Sequence, residues 1–193
     1  MTQTTGAEAA DLENTLTMEL STGGTVTIAM KPDVAPKHVE RITTLAKQGF
    51  YDGIVFHRVI EDFMAQTGDP TGTGMGGSDL PDLEAEFNDI HHGRGAVSMA
   101  RTNDPNTANS QFFICFKDCG FLDKQYTVWG QVTAGMEFVD KIAKGEPPAT
   151  PDKIVKMTVG GAAETADTAE APEAPAAEEA AETMNKTEPA AAE

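Results

Sequence analysis

The stretch FHRVIEDFMAQTGD, residues 56–69, puts a guanidinium that never sheds its charge, Arg58, among Phe, Val, Ile and Met side chains. Two further blocks, SMARTNDPNTANSQFFICF and GFLDKQYTVWGQV, repeat the theme. Phe63, Met64, Phe113, Phe121 and Leu122 are apolar, and Arg58, Gln66 and Gln111 are long polar donors interleaved with them. No GxSxG nucleophile elbow or HExxH metal helix accompanies them. The chemistry this set can do is non-covalent: a small apolar pocket edged by donors suits a peptide. A plainer reading of Arg58 alone is an arginine at the core edge, satisfied by carbonyls or a carboxylate.

Other candidates fare worse. Gly72, Gly74 and Gly77 satisfy G-x-G-x-x-G, but Pro81 interrupts the segment that follows and no amphipathic helix opens there. A glycine-rich surface loop is expected. His91-His92 lies in a polar stretch whose spacing gives no chelating face, so a surface turn is expected and no metal. Cys115 and Cys119 have C-x-x-x-C spacing without a second ligand pair, and Cys115 within QFFICF reads as a small hydrophobe.

The elements that must position these residues follow from periodicity. Alternation of two marks strands in TLTMEL, TVTIAM, VFHRVI, FMAQTG, GAVSMA, QFFICF, TVWGQV and KIVKMTV. In the third, Phe56, Arg58 and Ile60 are expected on one face and His57 and Val59 on the other. Helical spacing covers Pro36 to Gln48 and Gly135 to Lys144. Strands dominate without βαβ alternation. The expected fold is mainly β: a closed eight-stranded antiparallel barrel with two helices at its ends.

The chain has 193 residues, 39% hydrophobic, and a net charge of −17, which argues against nucleic acid and anionic membrane as partners. Nine acidic residues against one lysine after Gly161 put −8 of that charge in residues 162–193. Those residues read as a disordered Ala/Glu/Pro-rich acidic tail, residues 1–13 as a flexible leader, and 14–161 as the folded domain. The N-terminus has no basic region followed by an apolar run, and no stretch is long enough to span a membrane. The cytoplasm is the expected compartment.

In order, FHRVI, FMAQTGD, GTGMGG, SMAR, PNTANSQFFI, FLD and WGQV resemble the cyclophilin family of peptidyl-prolyl cis–trans isomerases, over roughly residues 14–160. The resemblance implies Arg58 as the catalytic arginine and Gln66 as its polar neighbour. It implies a proline pocket of Phe63, Met64, Phe113 and Leu122, and a peptide groove lined by Ala100, Arg101, Thr102 and Gln111. Phe121 stands where many members carry Trp, and Tyr126 where many carry His; both complete the expected substrate-binding set. The implied activity is rotation about X-Pro bonds in unfolded or flexible protein clients, by a monomer without cofactor. The alternative from a different class is a proline-peptide-binding chaperone or scaffold without turnover. Arg58 favours the enzyme, since a pure binding groove needs no donor aimed at the imide.

Overall fold

The computed structural model describes residues 12–160. The acidic tail and residues 1–11 of the expected leader lie outside the described residues. All eight expected strands form: β1 (Thr15–Leu20), β2 (Gly24–Met30), β3 (Arg58–Ile60), β4 (Met64–Thr67), β5 (Ala96–Met99), β6 (Phe112–Cys115), β7 (Val128–Ala134) and β8 (Ile154–Val159). Both helices form as well, α1 (Pro36–Lys47) and α2 (Met136–Asp140), the second over only half of the expected Gly135 to Lys144. Pro36 suits the first turn of α1, where its missing N–H costs nothing. The next two N–H groups donate to the carboxylate of Glu86, which caps the helix from a distant loop. α1 packs on β8 and α2 on β2.

The strands make one antiparallel sheet in the order β3-β4-β6-β5-β7-β2-β1-β8. Register shifts at Glu19/Leu20, Thr27/Ile28 and Val97/Ser98 bend it. The closed barrel expected from the sequence is not formed; the sheet is a curled half-barrel whose end strands, β3 and β8, do not pair as a ladder. The reason is the length of β3. Only Arg58–Ile60 hold strand geometry, so VFHRVI is a strand for half its length. The gap is tied by an isolated Val55–Lys153 bridge and by backbone bonds such as Phe56 N–H to Asp152 O at 2.8 Å.

Alternation along β4, β5 and β6 builds two apolar layers from one set of strands. Ala65, Val97, Met99, Phe112 and Ile114 join the main core with Leu16, Met18, Val26, Ile28 and Trp129. Met64, Ala96, Phe113 and Cys115 project to the other face and form a second cluster with Cys119 and Leu122. Phe56 departs from its expected face. It lies before β3 begins, and it is buried in the main core with Val59 rather than beside Arg58.

Candidate active site

The second apolar cluster is the floor of the site. Strand register sets a row across it: Arg58 on β3 stands opposite Gln66 on β4, and Gln66 opposite Phe113 on β6. One turn of the pleat away, Ile60, Met64 and Cys115 form the next row. The far wall comes from a 3₁₀ turn, Gly120–Leu122, which brings Leu122 down onto the cluster. Phe113 packs edge-on against Tyr126 at 5.7 Å between ring centres. A cavity of about 120 Å³ results, lined by Arg58, Phe63, Met64, Gln66, Ala100, Arg101, Phe113, Leu122 and Tyr126.

A larger cavity of about 380 Å³ adjoins it and shares Gln66, Ala100 and Arg101. Thr102 and Gln111 line this second space, with Met75, Asp82, Asn109 and the backbone of Gly74 to Ser78. Between the two, the Arg101 guanidinium lies 4.4 Å from the centre of the Tyr126 ring and donates to the carbonyls of Gln125 and Thr102. The twelve residues expected from the sequence therefore divide. Nine line the small cavity, and Thr102 and Gln111 belong to the second. Phe121 lines neither; it is 66% exposed at the rim, its ring 5.4 Å from that of Phe63.

A polar chain runs through both cavities. Arg58 Nη1 donates to Gln66 Oε1 at 3.5 Å, Gln66 Nε2 to Gln111 Oε1 at 2.9 Å, and Gln111 Nε2 to the carbonyls of Gly74 and Gly76 at 3.0 and 2.8 Å. Those carbonyls belong to the TGTGMGG segment, which is a loop, as expected. The loop is organised by Asp69, whose carboxylate is 1% exposed and accepts from Thr71 and from the N–H groups of Gly74 and Gly76. Burial by itself would raise the Asp69 pKa, but these bonds outweigh it and hold the carboxyl down at about 2. Gly76 must be glycine, because a Cβ there would overlap Asp69 Oδ1.

Arg58 has a partner that sequence reasoning missed. Its Nε donates to Glu146 Oε1 at 2.7 Å. Glu146 lies in KGEPPAT, far from every motif, and no pattern in the sequence points to it. The role of Asp69 is signalled in sequence only by the Asx-Gly spacing of DPTGTGMGG.

The histidine pair departs from expectation. His91 is exposed, but His92 is buried. His92 Nδ1 lies 2.8 Å from Asp123 Oδ1, and its Nε2 lies 3.1 Å from Ser98 Oγ. Asp123 and Asp118 also flank His91 at 2.7 and 2.8 Å. These bonds raise the His91 pKa, that from Asp123 most, and they pin the turn that carries Leu122. Cys115 and Cys119 are buried free thiols in the second cluster.

The site is thus an apolar cavity on one face of a curled antiparallel sheet, with a cation at its edge and a second cavity alongside. The family model of cyclophilin type peptidyl-prolyl cis-trans isomerases matches residues 15–159. A probable peptidyl-prolyl cis-trans isomerase of Brucella suis is 49% identical over 169 residues, covering 79% of this chain and 86% of that protein. Peptidyl-prolyl cis-trans isomerase-like 1 of Neurospora crassa is 43% identical over 150 residues, covering 72% and 90%. Among solved structures, the cyclophilin AquaCyp293 of Hirschia baltica superposes with a TM-score of 0.71 at 29% identity, covering 82% of this chain and 81% of that one. A Cryptosporidium parvum cyclophilin, solved in the presence of the dipeptide Ala-Pro, does so with a TM-score of 0.71 at 26% identity, covering 77% and 99%. The chain belongs to the cyclophilin-type peptidyl-prolyl cis-trans isomerase family, and it is an isomerase of that type. No helix among the described residues is long and apolar enough to cross a membrane.

Proposed function

We propose that the 120 Å³ cavity takes the proline ring of an X-Pro segment and that Arg58 lowers the barrier to rotation by donating to the imide nitrogen. The observation that carries this is the presence of Arg58 and Phe63, Met64, Phe113 and Leu122 in the wall of one cavity. That the Cryptosporidium relative was solved with Ala-Pro supports a proline-containing ligand.

The imide bond has a barrier of roughly 18–20 kcal/mol because resonance keeps it planar. Uncatalysed exchange takes tens to hundreds of seconds, so turnover at ~10³ per second needs about five decades, or ~7 kcal/mol. In the twisted transition state the nitrogen lone pair is localised and accepts a hydrogen bond that the planar ground states cannot. A donor met only in that state accelerates both directions. One preorganised donor is typically worth ~3–4 kcal/mol. The apolar wall supplies the rest by gripping the ring and excluding the water that stabilises the polar planar amide. The charge stands among apolar residues because its strength depends on them. Ala100, Arg101, Thr102 and Gln111 carry the peptide onward into the second cavity, and Tyr126 bounds the ring at its outer side. The substrates are proline-containing segments of unfolded or flexible proteins, whose folding the enzyme assists.

The test is a protease-coupled proline-isomer assay on short X-Pro peptides, wild type beside Arg58→Ala. A folded Arg58→Ala variant with turnover reduced at least 10²-fold supports the mechanism; an equally active one refutes it. Peptide binding by wild type without acceleration would identify a scaffold instead.

A further inference from the structure

Arg58 is held from two sides, and the stronger hold lies outside the pocket. Beyond β3, Val59 N–H donates to Gly145 O and Gly145 N–H to Val59 O, each at 2.8 Å. In an antiparallel bridge of this kind the flanking residues face one another, which sets Glu146 opposite Arg58. The result is the 2.7 Å contact from Arg58 Nε to Glu146 Oε1. Gln66 grips Nη1 at 3.5 Å, the outer limit for a hydrogen bond. Of the two anchors, the short charge-assisted one is Glu146. Together they occupy Nε and Nη1 and fix the guanidinium plane. Nη2 makes no hydrogen bond among the described residues. Glu146 itself lines neither cavity.

A carboxylate beside the catalytic cation has two opposed effects. It offsets part of the charge that Arg58 would present, and it removes the rotational freedom of a long side chain. The two side chains are 43% and 54% exposed, so solvent screens the first effect strongly. The second is not screened: an arginine held by one marginal bond samples many rotamers, and only one aims Nη2 at the imide nitrogen. Positioning outweighs neutralisation.

We propose that Glu146 is a positioning residue, which holds Arg58 so that Nη2 is presented to the substrate. This rests on the reading of Arg58 as the donor, and the test separates the two. Glu146→Ala, Glu146→Gln and Arg58→Ala are compared with wild type for kcat and KM on one X-Pro peptide, for melting temperature, and for the Arg58 Nε–Hε NMR resonance. Glu146→Ala should lose roughly 10-fold in kcat, as expected for a misaligned catalytic group, with KM within about 2-fold and thermal stability nearly unchanged. Its Hε resonance should move upfield and exchange faster with solvent. Glu146→Gln should recover most of both, because its amide oxygen can still accept from Nε. Should the alanine variant fail to fold, Glu146→Asp, one methylene too short to reach Nε, carries the same expectation. Wild-type kcat in a Glu146→Ala protein whose Hε resonance has changed overturns the proposal, as does a rise in kcat, which would make Glu146 a mask. Full activity of Arg58→Ala would instead remove the reading of Arg58 itself.

Discussion

Gln66 donates to Gln111 across 2.9 Å, and the direction of that bond is decided two residues away from the arginine it serves. The carbonyls of Gly74 and Gly76 can only accept, so the amide NH₂ of Gln111 must face them. Gln111 Oε1 is thereby turned towards Gln66, Gln66 Nε2 towards Gln111, and Gln66 Oε1 towards Arg58. Reversing any member would set donor against donor.

Gln111→Glu breaks this polarity while keeping the shape. A carboxylate cannot donate to the two loop carbonyls, and two partly buried bonds worth roughly 1 kcal/mol each are lost. The variant should be less stable by about 2 kcal/mol and should lose turnover on X-Pro peptides by roughly 3–10-fold. Denaturant melts and the isomer assay on one preparation check both.

Arg58→Lys keeps the charge and loses the planar fork. kcat/KM should fall by about 10²-fold or more, as for loss of one preorganised donor, with peptide affinity falling much less. Arg58 has two internal partners to lose, Glu146 and Gln66. Because the Glu146 pair is half exposed, its loss still leaves the melting temperature within a few degrees. A large fall in stability, with activity lost only as the fold is, would mark Arg58 as structural.

Cyclosporin-type inhibitors should bind weakly. Phe121 stands at the rim of the small cavity and has no indole N–H to offer. Phe121→Trp should tighten inhibition at least several-fold and change small-peptide turnover much less, since Phe121 does not line the cavity. Inhibition titrations of the two proteins decide it; nanomolar inhibition of wild type would count against the argument.

Asp69 couples the loop to acid stability. Its folded pKa, about 2, lies below the ordinary 3.8, so folding favours the carboxylate. The contribution is whole above about pH 5 and is lost as pH falls towards 2; a shift of this size corresponds to about 2 kcal/mol. Asp69→Asn should therefore be less stable than wild type by about that amount at pH 7. The gap should close between pH 4 and 2. A gap that does not depend on pH would place the cost in packing rather than charge.

Eight strands and the positions of two helices were legible in the sequence because each depends on local pattern: a period of two, helical spacing, or a proline at a helix start. Arg58, Phe63, Met64, Phe113 and Leu122 do meet in one wall. Closure of the sheet was not legible, because alternation extends through VFHRVI while only three of its residues hold strand geometry. Neither was His92, whose burial comes from Asp123 and Ser98 rather than from its polar neighbours in sequence. Phe121 belongs to the right turn but points to its outside, and sequence does not reveal the orientation of a three-residue turn. Glu146 is the clearest case. It lies 88 residues from Arg58, and only the bridge between Gly145 and Val59 brings the two together. The sequence by itself determined which groups could do the chemistry, since donor type and apolarity are properties of single residues. The tertiary structure alone decided which of those donors are already occupied, because hydrogen-bond partners are chosen by register and chain crossing.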